Sequence, residues 1–504
     1  MKKLMTLALA AGMLLGVATG ASAIDFKAKG QWLMGFSAGD GSLVSHTKTN
    51  KASNHNKAAD TDDIFSASQR LRLQLDAVAS EALSGTVFFE IGDTNWGKNS
   101  NGGAMGADQK IVELKNAYID WMVPNTDLKF RMGIQGIQLP NVAGGSAILD
   151  DDVAAITASY QFNENVALTA MWARPYNDNY SSRADRVNYH DNMDLFALML
   201  PLTFDGVKVT PWAMYGMAGA NTNTLTSTAP YARYANGGDT FDFDKADTGK
   251  AYGSMFWAGL PISLTLWDPL NVELDINYGY VESMGRYQAE RYGSAADFRM
   301  GDTKREGWLV KALVEYKMDW GTPGIFGWYA SGDDGNVKNG SERMPSISGC
   351  GNFMSFMGDG NYGWSTSDSL YDRNMTYAGT WGIGLRIHDL SFVEDLKHSF
   401  RVAYWGGTNS PSMAKYVNSS YGWQNFNNDG NYGEKDGPYL TTNDGLLEFN
   451  LVNSYQIYEN LEANLELGYI VNLVDDDTWK RSYRSDSYKK QDAWKAQLIF
   501  AYSF

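Results

Sequence analysis

The last eleven residues constrain the fold more than any other stretch. From Trp494 the chain reads W-K-A-Q-L-I-F-A-Y-S-F. Trp494, Ala496, Leu498, Phe500, Tyr502 and Phe504 fall on one face of an extended strand, and Lys495, Gln497, Ile499, Ala501 and Ser503 on the other. One side is almost wholly apolar, and the chain stops on an unprotected aromatic. The same period of two recurs upstream. Near 64–78, Phe65, Ala67, Leu71, Leu73, Leu75 and Ala77 oppose Ser66, Ser68, Arg70, Arg72, Gln74 and Asp76. Near 271–282, Val272, Leu274, Ile276, Tyr278 and Tyr280 oppose Glu273, Asp275 and Asn277. Near 305–319, Trp308, Val310, Ala312, Val314, Tyr316 and Met318 oppose Lys311, Glu315 and Lys317.

Alternation alone suits a soluble sheet as well as a membrane wall. The connections decide. Eighteen strand segments run from 26–36 to 491–504, and the links between them alternate in kind. Long polar links cover about 37–63, 94–110, 137–151, 175–191, 218–250, 283–304, 332–373, 408–443 and 475–490. Short ones, such as Pro124-Asn125-Thr126-Asp127, lie between them. Short turns on one side and long loops on the other describe a transmembrane antiparallel β-barrel with periplasmic turns and external loops. Hydrocarbon leaves an edge strand unpaired, so the sheet must close. Sixteen strands is the alternative count, because both phases are mixed at 111–122. Aromatics at strand ends, among them Trp32, Trp121, Trp320 and Trp328, fit interfacial girdles. Trp381, Gly382 and Gly384 are one candidate for a face between subunits.

Composition agrees with an all-β reading. Aromatics reach 13%, with 52 glycines and only 12 prolines, a mix that favours strands and turns. The longest apolar stretch, Met255 to Trp267, is broken by Gly259, Pro261, Ser263 and Thr265, too soon for a spanning helix of about 20 residues. A formal charge of -16 argues against nucleic-acid binding. The single cysteine, Cys350, has no partner for an internal disulfide. At the start, Lys2 and Lys3, an apolar run from Leu4 and Ala21-Ser22-Ala23 describe a secretory signal peptide over 1–23. Residues 24–504 then form the barrel.

Eighteen strands enclose more space than wall side chains fill, so a channel is expected, narrowed by an inserted loop. The third long loop, 137–151, is the candidate constriction. It follows Lys129, Arg131 and Gln135 on the lumen face and ends in Asp150, Asp151 and Asp152. Arg70, Arg72 and Arg131, with Arg386 and Arg401 on later strands, set cations against those acids, an arrangement that tunes ion preference. Neutralising Arg70, Arg72 and Arg131 together is then expected to move selectivity toward cations. Asp333-Asp334-Gly335-Asn336 and Asp475-Asp476-Asp477 look like fragments of calcium loops, without the full twelve-residue spacing. Solvated charge is the plainer reading; divalent cations bridging these acids to anionic surface lipid are the alternative, and no cofactor is implied. No nucleophile elbow, metal-ligand spacing or phosphate loop points to an enzyme, and His190, His388 and His398 stand without partners in sequence. A structural anchor or surface receptor stays open beside the channel reading.

Four segments carry a family resemblance. They are Ala21-Ser22-Ala23 followed by I-D-F-K-A-K-G-Q-W, F-E-I-G-D-T-N-W from Phe89, W-M-V-P-N-T-D-L-K-F-R-M-G-I-Q from Trp121, and A-Y-S-F at the end. With them the chain resembles Gram-negative outer-membrane porins, more narrowly the homotrimeric major porins of Desulfovibrio-type sulfate-reducing bacteria. That resemblance implies passive diffusion of small polar solutes, a trimer with one channel per subunit and a third-loop constriction. It also implies contact with outer-membrane lipid and lipopolysaccharide, and a terminal Phe504 read by the barrel-assembly machinery.

Overall fold

The computed structural model describes residues 24–43, 46–50, 55–59, 63–107, 111–177, 192–219, 252–283, 286–291, 294–349, 353–357, 362–366, 377–416, 439–479 and 490–504. Residues 1–23, the expected signal peptide, and Cys350 lie outside them. Eighteen strands make the wall. The first six are β1 (Asp25–Asp40), β2 (Ile64–Ser80), β3 (Leu83–Asn95), β4 (Val112–Met122), β5 (Leu128–Gln138) and β6 (Asp150–Gln161). Next come β7 (Ala167–Asn177), β8 (Asn192–Met199 with Leu202–Phe204), β9 (Val207–Val209 with Trp212–Gly219), β10 (Tyr252–Trp267), β11 (Leu270–Val281) and β12 (Arg305–Tyr316). The last are β13 (Thr322–Ala330), β14 (Thr380–Val393), β15 (Leu396–Gly407), β16 (Gly445–Tyr458), β17 (Leu461–Asn472) and β18 (Ala493–Ser503). Each pairs antiparallel with its neighbours in sequence, and β1 pairs with β18, so no edge remains. No described helix is long and apolar enough to cross a membrane; this chain crosses with strands.

Two wall strands are interrupted, and proline is the reason. Pro201 splits β8 and Pro211 splits β9, each lacking the N–H that a ladder needs. The wall survives because the proline carbonyls still accept, from Ala167 and Leu200. The mixed phase near 111–122 has an equally local cause. A bulge places Lys115 and Asn116 opposite the Phe88–Phe89 step, so Val112 and Leu114 share the outward face with Ala117 and Ile119. Two long loops also carry hairpins of their own, His46–Asn50 with His55–Ala59 and Arg286–Arg291 with Ser294–Asp302.

The outward face is an apolar belt between two rows of rings. At the loop end Trp172, Phe196, Tyr215, Phe256 and Tyr280 are in register across β7 to β11. Trp308 and Tyr329, stacked at 5.2 Å, carry the row onto β12 and β13, and Trp381 and Tyr404, at 5.5 Å, onto β14 and β15. At the turn end stand Trp121 on Phe130, Tyr160 against Phe162, and Tyr502 on Phe504. From Phe256 to Trp267 on β10 the strand covers about 36 Å, or about 26 Å of membrane at a 45° tilt, which matches the apolar band of outer-membrane barrels. Two sequence expectations need correction. Trp328 belongs to neither girdle, since it faces the lumen at 4% exposure. Gly382 and Gly384 are no outward subunit face: a Cβ on them would strike the lumen rings of Trp328 and Phe326.

The seam between first and last strands ends in a fitted contact. Gly30 and Phe504 exchange both backbone hydrogen bonds, at 2.8 and 3.0 Å. The Phe504 ring lies over Gly30 so closely that a Cβ there would meet it at 2.6 Å and the Arg72 carbonyl at 2.7 Å. Gly30→Val is therefore expected to cost about 1–3 kcal/mol through overpacking. Loss of the compact barrel band at a lower temperature in a heat-modifiability gel checks this.

Candidate functional site

The lumen is divided by chain inserted from the loop end. The third long loop, residues 139–149, and the described parts of the seventh, residues 331–349, 353–357, 362–366 and 377–379, both fold inward. Their seat is a sector of wall whose lumen side is apolar: Val153, Met171, Leu195, Met214, Met255 and Trp257 are all nearly inaccessible. Leu139, Ile148 and Leu149 of the third loop are buried to 0–2%, which contributes about 1.5–3 kcal/mol apiece. Two wall tryptophans pin the loops by their polar edges. Trp212 donates to Pro140 O at 3.1 Å and Trp257 to Pro345 O at 3.0 Å.

Loop backbone in a protein interior brings polar groups that need partners. The wall supplies them through buried charge pairs. Asp275 and Lys311 face each other across β11 and β12 with Nζ to Oδ2 at 3.3 Å, and both side chains are almost fully buried. Asp275 accepts the amides of Val142 at 3.2 Å and Ala143 at 2.8 Å. Lys311 donates to the Gly145 carbonyl. A single ion pair thus satisfies both polarities of one loop turn. That turn needs Gly144, at φ +61°, because a Cβ there would press on the Tyr377 hydroxyl at 2.5 Å.

The seventh loop is held in the same manner on the far wall. Lys495 pairs with Glu466 at 2.9 Å and reaches the Ser355 carbonyl at 3.3 Å. Glu448 accepts the amides of Phe356 and Met357, and Asn450 that of Ser355. Beyond, Trp364 donates to Asp93 at 2.8 Å and lies under the Arg70 guanidinium at 5.5 Å. Ser66 and Ser68 donate to the Thr366 carbonyl, and the Ser37 and Thr366 hydroxyls touch. The two loops also join each other. Ile347 and Ser348 donate to Ile148 O, Asp150 N donates to Ser348 O, and Tyr377 donates to Gly144 O at 2.8 Å.

The candidate residues read from the sequence separate into three groups. Arg72, Lys129 and Arg131 line the lumen toward the turn end, as paired charges. Arg72 meets Glu90 at 2.6 Å; Arg131 makes a two-pronged contact with Asp120 at 2.8 Å and covers the Tyr118 ring at 4.2 Å; Lys129 reaches the same carboxylate at 3.3 Å. On the opposite wall Arg386 pairs with Glu315 at 2.6 Å, with His388 at 3.0 Å from the same oxygen, and Arg401 sits in register across from Arg386. Arg70 and Gln135 form the second group, at 5% and 1% exposure. Arg70 lies over the Trp364 ring, and Gln135 donates to Ala155 O at 2.9 Å.

The third group is the acidic end of the third loop, which the register divides. Asp151 faces inward and accepts from Ser348 at 2.7 Å. Asp150 and Asp152 pair with Gln138 and Gly136, on the outward face shared with Ile134, away from the lumen arginines. The constriction also differs from a third loop acting alone, because the seventh crosses the lumen beside it. The sequence reading put Asp275 and Lys311 on a polar face and gave them no role. A usable signal was present: Lys311 interrupts a lumen face whose neighbours, Leu309 and Leu313, are apolar.

At the base of the seventh loop, outside the membrane, Asp333 accepts from Ser341, Glu342 N and the Tyr439 hydroxyl, and Asp334 accepts from Asn336 N and Asn339. Asp475 caps Thr478, and Lys490 pairs with Asp476. Burial, with Asp333 and Asp334 nearby, pushes Glu342 up to about 7. The folded loop thus holds a proton that the unfolded chain releases near pH 4.5, so stability falls as pH rises from there through about 7. Wild-type protein is expected to lose thermal stability between pH 5 and pH 8, and Glu342→Gln to flatten that dependence in a circular-dichroism melt.

Breaking one partner of a buried pair leaves the other charge stranded, at about 3–5 kcal/mol. Lys311→Met is expected to loosen the third loop by that order and raise single-channel conductance. An unchanged conductance in a planar bilayer would mean that the pair does not hold the aperture.

Closure, apolar belt and two girdles place the chain in the outer membrane as a transmembrane barrel. Among solved structures it is similar to OpdQ of Pseudomonas aeruginosa, at 11% identity and TM-score 0.49 over 95% of this chain and 98% of that one. A BenF-like porin from Pseudomonas fluorescens Pf-5 gives 10% and 0.49 over 95% and 98%. OpdO of Pseudomonas aeruginosa gives 12% and 0.48 over 95% and 97%. No protein-family model and no curated protein matches the chain.

Proposed function

We propose that this barrel is a porin, a water-filled channel for passive diffusion of small hydrophilic solutes and ions rather than an enzyme. One observation carries the reading: two loops are latched inside the lumen, beside walls that still present paired charges to solvent. A plug without passage has no use for Lys129 at 50% and Arg131 at 35% side-chain exposure. A second reading, a channel selective for one solute class, is favoured by the crossing of both loops, which leaves less bore than one loop does. The narrower likeness to Desulfovibrio-type porins rests on the sequence segments alone. A homotrimer, contact with lipopolysaccharide, recognition of Phe504 during assembly and weakly held divalent cations at the acidic loops belong to the same proposal.

The test is planar-bilayer recording under a salt gradient. Replacing Lys129 and Arg131 together by alanine leaves Asp120 uncompensated at the wall, so the reversal potential is expected to move toward cation preference. Arg70, packed over Trp364, is left out of the set because its loss disturbs the seventh loop instead. An unmoved reversal potential, with conductance intact, overturns a role for these charges in permeation. Silence in the bilayer overturns the channel reading itself.

A further inference from the structure

The seventh loop leaves the wall after β13 and returns to it at β14, so its course through the lumen hangs from two stems. Gly379 N donates to Ser331 O at 3.1 Å, which lays one stem against the other. Asn409, of the eighth loop, sits against both. It is fully buried, two residues beyond Gly407, whose pairing with Thr380 is the last ladder step of β14 with β15. Its carboxamide serves three backbone segments at once. Oδ1 accepts from Asp333 N of the outgoing stem at 3.0 Å. Nδ2 donates to Gly379 O of the returning stem at 3.1 Å and to Leu440 O of the eighth loop at 2.6 Å. Two backbone contacts flank it, Ser410 N to Asp333 O at 2.7 Å and Thr408 N to Gly379 O at 2.9 Å.

The chemistry asks for this side chain. One amide and two carbonyls converge, so the position needs an acceptor on one side and two donors on the other, which a carboxamide supplies in one plane. A carboxylate would set an oxygen against two carbonyls, and an aliphatic side chain would leave three buried groups unpaired. Space is as closely matched. Gly379 has φ +72°, and a Cβ on it would press on Asn409 Nδ2 at 2.6 Å and Arg343 Nε at 2.8 Å. The knot leads straight to the loop's entry into the lumen. Arg343 donates to Ala378 O at 3.0 Å, and Arg305 donates to the carbonyls of Arg343 and Met344 at 3.0 and 2.9 Å. Pro345, next in the chain, is the residue that Trp257 pins. The wall ladder closes without Asn409, and its side-chain hydrogen bonds all go to loop backbone.

We propose that Asn409 is the positioning residue of the channel, setting the angle at which the seventh loop enters the lumen and so the bore left open. The proposal deepens the channel reading and rests on it. In planar bilayers Asn409→Ala is expected to raise the time spent above the wild-type conductance about tenfold, with heat modifiability showing a folded barrel. Asn409→Asp, equal in size, is expected to do the same, and it replaces the alanine variant if that one does not fold. A tether supplies a readout that lost stability alone does not move. In the Asn409→Ala background, an oxidised Ser37→Cys, Thr366→Cys pair is expected to return conductance to the wild-type level, and reduction to raise it again. Wild-type conductance in the folded variants, or a rise that the tether leaves unchanged, overturns the proposal. Silence of the wild type overturns the channel reading instead, and Asn409 is then judged by the rate of that disulfide in native membranes. A slower rate in the Asn409→Ala background supports the role; an equal rate overturns it.

Discussion

Everything inside this barrel depends on satisfying loop backbone in a lumen too wide for side chains to fill. A closed ladder settles the wall, because each strand completes its hydrogen bonds with two neighbours. Loops that enter the lumen have no ladder. Buried charge pairs on adjacent strands take its place: Asp275 with Lys311 for the third loop, and Glu466 with Lys495, beside Glu448, for the seventh. A carboxylate takes two neighbouring amides and an ammonium takes a carbonyl, so one pair anchors both polarities of a turn. The apolar wall sector supplies adhesion; the pairs supply position.

How much of this was legible in the sequence follows from what sets each feature. The wall was legible because period two is imposed by the pleat and by two different solvents, as on β2, β11 and β18. The count of eighteen strands followed from the alternation of short and long links. The phase near 111–122 was not legible, since a bulge at Lys115 and Asn116 flips it, and a bulge leaves no mark in composition. Nor was the interior of β6 to β10, where Met171, Leu195 and Met214 face inward and erase the polar half of the pattern. Those residues face loop, and alternation cannot tell a lumen filled by protein from a lipid exterior.

The site was legible in part for the same reason. Lys129 and Arg131 could be placed on the lumen face by parity alone. Their pairing with Asp120 needed cross-strand register, which the sequence does not display. Asp150, Asp151 and Asp152 read as one acidic cluster, yet neighbours on a strand point to opposite sides, and of their three carboxylates the one that accepts from the seventh loop is that of Asp151. The reach of the seventh loop was hidden altogether. Its contacts with Ser37, Ser68 and Glu448 join segments 91 to 329 residues apart. The outcome is a lumen whose charges mostly stand in pairs, so its field has local contrast more than a net sign.

The seventh loop crosses the lumen to the wall of β1. Ser37→Cys with Thr366→Cys places two thiols where two hydroxyls now touch. Mild oxidation of the double variant in native membranes is predicted to give an intramolecular disulfide in nearly all folded barrels, with single-channel conductance unchanged because the loop already rests there. No disulfide in folded barrels, or a conductance that drops when it forms, would contradict a loop held against that wall.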